Sequence, residues 1–169
     1  MRKIVLGKTG VEVSAVSLGT WSYGSGNVTA GVSVGWPGQQ DDDSRAALMR
    51  AWELGINHWD TADVYGNGYS EQIISSMWDK IPRNDIFLAT KVGWARGPHD
   101  YFYHPGQMRG QMEQSLRHLQ TAPTRVEMGK SVDLGVRLII QNNKDDSLAT
   151  PTHIFFLSLF PTHSPLHIY

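Results

Sequence analysis

A chain of 169 residues, 40% of them hydrophobic, lies within the size of one domain and carries enough apolar material for a core. Its 15 basic and 16 acidic residues leave a formal charge of -1 with no basic stripe, which argues against nucleic acid and anionic membranes as partners. No cysteine is present, so disulfides, thiolate metal sites and a cysteine nucleophile are excluded together.

Residues Lys3 to Leu6 alternate toward a Gly-Lys-Thr-Gly turn, and Val11-Glu12-Val13 resumes the alternation, which predicts a hairpin closed by Gly7 and Gly10. Ala15 to Leu18 reads as another short strand. Between Gly24 and Gln40 the chain is glycine-rich, with Pro37 and few large apolar groups, and is expected to be a long surface loop. Asp41 to Asp43 supply N-cap carboxylates for a helix with Ala47, Leu48, Ala51, Trp52 and Leu54 as its apolar face and Gly55 as its stop. Ile56 to Asp60 predicts a strand. Ser70 then caps a second helix, with Ile73, Ile74, Met77 and Trp78 at helical spacing, and Pro82 to Asp85 is a turn. The apolar run Ile86 to Thr90 reads as a strand covered on both faces and ending at Lys91. Pro105 opens a third helix through Met108, Met112, Leu116 and Leu119.

Strand and helix alternate three times, the pattern of parallel strands joined by crossover helices, with polar groups at strand carboxyl ends as in a TIM-type (β/α) barrel. A complete barrel takes about 250 residues, and only three units precede a change of character near Thr121. The expected fold is therefore α/β, an incomplete TIM-type (β/α) barrel over residues 1–121, followed by a divergent, poorly ordered tail over 122–169. In that tail Val126 to Met128 and Val136 to Ile140 are strand candidates, and Pro151 to Tyr169 is an aggregation-prone stretch. Its strongest apolar run, Ile154 to Phe160, is far shorter than the roughly 20 residues of a membrane span. No secretion signal follows Met1, so a cytoplasmic protein is expected.

Asp60 closes one strand, Tyr65 lies in the loop that follows, and Lys91 closes the next strand, so all three can reach one pocket. A tyrosine hydroxyl, with a pKa near 10, is a poor acid at neutral pH, but an adjacent ammonium favours the phenolate. Lys91 would be that ammonium, and a carboxylate at Asp60 would keep it charged and in place. Singly, each has an ordinary reading: Asp60 as a cap, Tyr65 as a half-buried aromatic, Lys91 as a solvated strand end. Their shared placement favours a pocket with Tyr65 as proton donor to a carbonyl oxygen. A Schiff-base role for Lys91 is a further reading, weakened by the carboxylate, since such a lysine must be neutral to attack.

Other motifs carry less. The Gly24 to Gly38 region has neither a Walker pattern nor a strand-bound G-x-G-x-x-G. His163 and His167 are separated by Pro165, which breaks the helix that would pair them, so no metal site is expected. Met108, Met112, Trp52 and Trp78 read as core faces of helices.

Over roughly residues 1–121 the chain resembles the amino-terminal part of an aldo/keto reductase. The resemblance rests on Leu6 to Gly10, Ser17 to Trp21, the run Gly55 to Gly66, Ser70-Glu71 and Ala89 to Lys91. It implies an amino-terminal β-hairpin cap over the barrel floor and a reductase, normally NADPH-dependent, acting on a small-molecule aldehyde or ketone. In that chemistry hydride goes to the carbonyl carbon and a tyrosine protonates the oxygen. Carried over by motif, Tyr65 is the proton donor, Asp60 and Lys91 tune it, and Thr20, Trp21 and Asp60 lie near the nicotinamide ribose.

The chain departs from that family at the histidine expected to end the fourth strand, since His118 still lies on the third helix and the next histidine is His153. The carboxyl-terminal half that holds most of the cofactor also has no counterpart. Weak cofactor affinity is the expectation for a chain truncated in this way. A second reading is a non-catalytic interaction or regulatory fragment that associates with a second copy or a full-length homologue, and a third is a degenerate gene product.

Overall fold

In a computed structural model, the protein is described over residues 1–7, 10–29, 31–93, 97–99, 104–121 and 136–140. The strand candidate Val126 to Met128, the stretch Pro151 to Tyr169 and His153, His163 and His167 lie outside these residues.

The opening alternation forms an antiparallel hairpin, β1 (Lys3–Val5) with β2 (Glu12–Ser14), in the register Ile4↔Val13. Gly7 and Gly10 take positive φ at its turn, a region open to glycine at little cost. Val13 is fully buried against Phe87, and Ser14 trades hydrogen bonds with Asn57, donating from its amide to Oδ1 at 2.6 Å. The hairpin thus closes the amino-terminal end of the sheet.

That sheet contains β3 (Ser17–Gly19), β6 (His58–Asp60), β7 (Phe87–Val92) and β8 (Val136–Ile140), in that order. The first three are parallel, with Leu18, Trp59 and Leu88 in one row. β8 runs antiparallel to β7 in the register Leu88↔Ile140. The strand expected at Val136 to Ile140 exists, but it does not continue the parallel series. The architecture is a partial α/β layer, and the described residues form no closed barrel.

The span from Gly24 to Gln40 is not the simple loop its composition predicts. It holds a second hairpin, β4 (Gly26–Thr29) with β5 (Val32–Gly35), turning at Gly31 with φ +83°. The glycines sit at the turn and strand ends, where they tighten the ribbon.

Helix α1 (Asp41–Glu53) fills the crossover between β3 and β6, α2 (Tyr69–Ser75) lies between β6 and β7, and α3 (Pro105–His118) follows β7. The N-cap of α1 is Gln40; Asp41, Asp42 and Asp43 occupy its first turn, where they meet the positive end of the helix dipole. Its stop is a complete Schellman motif: Gly55 N–H donates to the Trp52 carbonyl and Ile56 N–H to that of Ala51. Ser44, Leu48 and Ala51 form the buried stripe, while Ala47 and Leu54, expected on the apolar face, are exposed at its edge. Buried Trp59 and Leu88 face the helices together with Ile73, Ile74 and Met77. No helix among the described residues is long and apolar enough to cross a membrane.

Candidate active site

Strand alternation decides which side chains meet. Trp59, Leu88 and Thr90 point toward the helices, so Asp60 and Lys91 share the opposite face at the carboxyl ends of β6 and β7. Lys91 Nζ donates a short hydrogen bond to Asp60 Oδ1 and another, of 2.8 Å, to the Thr61 carbonyl. The pair is about a quarter exposed, with side-chain exposures of 26% and 22%, so it is neither dry nor fully solvated.

Tyr65 lies in the loop after β6. Lys91 Nζ stands 5.1 Å from the centre of its ring, within cation–π range. Trp21 opens a 3₁₀ turn (Trp21–Gly24) after β3 and stacks on Tyr65, with centroids 6.1 Å apart and planes 26° apart. Asp60, Tyr65 and Lys91 are thus gathered as the sequence predicts, with Trp21 beside them. Thr20 belongs beneath them: it is fully buried, and its amide and hydroxyl both donate to the Asp60 carbonyl, at 3.0 and 3.1 Å. Its side chain is engaged within the protein.

Ser70 is not the helix cap its position suggests; Gly68, at φ +89°, is the N-cap of α2. Its buried Oγ lies 2.8 Å from the Thr20 carbonyl, to which it donates, and receives the Thr61 hydroxyl at 3.1 Å. This buried hydroxyl chain ties the ends of β3 and β6 to the start of α2. Thr20 and Thr61 follow the paired residues Gly19 and Asp60, so the pairing was available in the sequence once the strands were aligned.

The second hairpin pins the Tyr65 loop. Asn27 Nδ2 donates to the Val64 carbonyl and to Asn67 Oδ1, both at 3.1 Å. The backbones of Gly24 and Gly66 touch so closely that a Cβ on Gly66 would overlap the Gly24 carbonyl oxygen. Gly66 also has φ +63°. Gly66→Ala is therefore expected to cost about 1–3 kcal/mol in backbone strain alone, read as a lower urea midpoint, with loss of the Trp21–Tyr65 contact visible in near-ultraviolet circular dichroism. Trp36, at the end of this hairpin, meets Trp21 edge-on at 4.5 Å and was not singled out from sequence. Its signal was the alternation of Val28, Val32 and Val34 around Gly31.

Asp63 is the other residue whose role the sequence did not reveal. Its amide donates to the Lys91 carbonyl at 3.0 Å, and its Oδ2 is buried without a hydrogen-bond partner among the described residues. Burial pushes its carboxyl up to about 7, helped by the nearby Glu71 charge and opposed by the Val64 amide, Lys91 and His118. His118 bonds Glu71 at 3.0 Å from α3, in the helix layer. It does not supply a histidine to the Asp60–Tyr65–Lys91 face. Among the described residues no group of three or more His, Asp or Glu side chains could hold a metal ion. A cleft of about 320 Å³ lined by Lys3, Trp52, Asn57 and Asp85 lies at the hairpin end and contains none of Thr20, Trp21, Asp60, Tyr65 and Lys91.

The sequence profile of the Aldo/keto reductase family matches residues 15–126. The chain is 33% identical over 125 residues to the oxidoreductase YqkF of Bacillus subtilis, covering 72% of this chain and 36% of that protein. It is 36% identical over 99 residues to an NADH-specific methylglyoxal reductase of Escherichia coli, covering 57% and 28%. Among solved structures, an aldo-keto reductase from Bacillus halodurans in its holo form aligns with TM-score 0.57 at 31% identity, covering 75% of this chain and 39% of that one. The chain spans only about a third of the length of the curated relatives it matches. With residues 15–126 matched and the strand-end residues in place, the chain belongs to the aldo/keto reductase family.

Proposed function

We propose that this chain carries the proton-donating half of an NADPH-dependent carbonyl reductase, with an aldehyde or ketone as substrate. One observation carries the reading: Lys91 is held by the Asp60 carboxylate while its ammonium lies over the Tyr65 ring. When bound, the nicotinamide cofactor supplies hydride to the carbonyl carbon. Tyr65 gives its phenolic proton to the carbonyl oxygen, which completes the alcohol. The phenolate left behind is stabilised by the Lys91 charge, and Asp60 keeps that lysine protonated and in position. Thr20, Trp21 and Asp60 would border the nicotinamide ribose, Thr20 from below by fixing the Asp60 backbone. The half-exposed Trp21 and Trp36 give the substrate an apolar wall. The same reading puts the chain in the cytoplasm.

Titration with NADPH tests the reading. Saturable quenching of tryptophan fluorescence and a rising thermal midpoint are expected, with a smaller response to NADH. A chain that shows neither response is not a reductase on its own.

The antiparallel β8 supports a second reading. It takes the place beside β7 where a barrel would continue with a parallel strand, and among the described residues β3 is an edge of the sheet. On this reading the chain is a non-catalytic piece that pairs with a second copy or a full-length homologue. Light scattering that finds only monomer, with or without such a homologue, argues against it.

A further inference from the structure

Asp60 and Lys91 are each about a quarter exposed. A long, flexible lysine side chain is poorly fixed by one partly solvated carboxylate alone, so its second acceptor, the Thr61 carbonyl, matters. Beneath that carbonyl lies a dry network in which Thr20, Thr61 and Ser70 are all fully buried. Each of these hydroxyls has one proton to give, and the three can be ordered in one direction. Thr61 donates to Ser70 Oγ at 3.1 Å. Ser70 donates to the Thr20 carbonyl at 2.8 Å, with the Thr20 hydroxyl oxygen at 2.9 Å. Thr20 donates to the Asp60 carbonyl at 3.1 Å. The chain thus starts on the residue whose carbonyl holds Lys91 and ends on the residue whose carboxylate does. Ser70, from α2, is its middle link, and its own amide donates to the Tyr65 carbonyl at 3.2 Å.

We propose that Ser70 is a positioning residue for Lys91, its buried hydroxyl locking Thr61 and Asp60 in the pose from which they hold the ammonium over the Tyr65 ring. Thr61 is fixed by its amide, which donates to the Ala89 carbonyl at 2.8 Å, and by its hydroxyl on Ser70, and the two together aim its carbonyl at Lys91 Nζ. The Asp60 carbonyl takes both the amide and the hydroxyl of Thr20, so the same chain sets the direction in which the Asp60 side chain leaves the strand. Removing the Ser70 oxygen strands the Thr61 hydroxyl in a buried site, where an unpaired donor is costly. Thr61 must then turn to find another acceptor, and its carbonyl leaves the lysine. The consequence for catalysis rests on Tyr65 as proton donor, but the hold on Lys91 can be measured without turnover.

The test is nitrogen-15 NMR of the lysine ammonium groups in the whole chain, with the Lys91 signal identified as the one missing from Lys91→Arg. In the wild type it should stand apart from the solvated lysines and exchange its protons slowly. Ser70→Ala should move it toward them and speed that exchange roughly fivefold, about the effect of one neutral hydrogen bond. Thr61→Val keeps the side-chain shape and the backbone carbonyl but removes the first proton of the chain. It should give the same change, and combining it with Ser70→Ala should add nothing further. Ser75→Ala removes another buried hydroxyl of α2, one that donates to the Gln72 carbonyl at 3.0 Å, and should leave the Lys91 signal where it is. With NADPH and an aldehyde, Ser70→Ala should lower kcat at constant KM. A lower thermal midpoint in Ser70→Ala with an unmoved Lys91 signal, or effects of the two variants that simply add, would overturn the proposal and leave Ser70 a packing group. A wild-type chain that neither binds NADPH nor reduces the aldehyde removes the reductase reading alone, and the Lys91 signal still decides this one. If Ser70→Ala does not fold, Thr61→Val decides it in the same way.

Discussion

If Tyr65 is the proton donor we propose, Tyr65→Phe will bind NADPH as the wild-type chain does and reduce a simple aldehyde roughly 10²–10⁴-fold more slowly. The phenylalanine ring keeps the stack on Trp21 and the contact with the Lys91 ammonium, so the aromatic surface beside Lys91 is unchanged. What goes is a single hydroxyl, the proposed proton donor to the carbonyl oxygen. The loss corresponds to about 3–5 kcal/mol in the proton-transfer step and almost nothing in ground-state binding, so it should appear in kcat and not in KM. Lys91→Met should fall in the same direction, with an added cost in stability, because it leaves the three-quarters-buried Asp60 carboxylate without its cation. Asp60→Asn is the mildest of the three, since an amide oxygen can still accept from Lys91 Nζ. Stopped NADPH oxidation under single-turnover conditions separates these outcomes. Wild-type rates in Tyr65→Phe would remove this residue from the chemistry, whereas a wild-type chain with neither turnover nor cofactor binding would leave the non-catalytic reading standing.

The parts of the molecule legible in the sequence are those where local pattern and long-range packing agree. Leu48, Ala51 and Gly55 predict α1 and its stop because the centre of the stripe its period displays is buried, with Ala47 and Leu54 left exposed at its edge. Asp60, Tyr65 and Lys91 could be placed together because parallel strands with crossover helices put their carboxyl ends side by side. Ser70 was misread for an identifiable reason: a serine at a helix start usually caps it, but Gly68, two residues earlier, takes the left-handed φ that ends the loop. This frees the hydroxyl to join strands β3 and β6. The hairpin at Gly26–Thr29 and Val32–Gly35 was hidden by glycine content, which marks a tight ribbon as readily as a loop. The strand at Val136–Ile140 was visible, but its direction was not. A run of apolar residues pairs equally well either way, and the choice is made by connection and partner edge, which no local window contains. Thr20 shows the same limit at the site: its motif placed it next to the chemistry, but only the packing shows that its hydroxyl is already engaged.

The stability of the chain will fall as pH rises from about 4 to about 7, and Asp63→Asn will remove much of that slope. Asp63 has an ordinary carboxyl value of 3.8 and is pushed up to about 7 in the fold, first by burial and then by the Glu71 charge. Below both values the carboxyl is protonated in either state and costs nothing. Between them the unfolded chain releases the proton while the folded chain holds it, so unfolding is favoured increasingly with pH; above about 7 both are ionised and the loss is complete. The gap amounts to about 4 kcal/mol at its fullest, at 1.36 kcal/mol per pKa unit. Urea unfolding at steps from pH 4.5 to pH 8.5 should show the wild type losing stability across this window, with the variant nearly level and its advantage greatest at the alkaline end. Parallel curves for the two proteins would mean that Asp63 ionises normally in the fold. Glu71→Gln separates the two causes: removing that charge should lower the Asp63 midpoint but leave it above 3.8, because burial acts without it. The carboxyl that titrates here feels the charges of both Lys91, in the candidate site, and the Glu71–His118 pair. Ionisation of Asp63 adds a negative charge near both, strengthening the field on Lys91 as it weakens the fold. A reductase built on these residues would therefore gain a firmer grip on its lysine under the same conditions in which its scaffold is least stable.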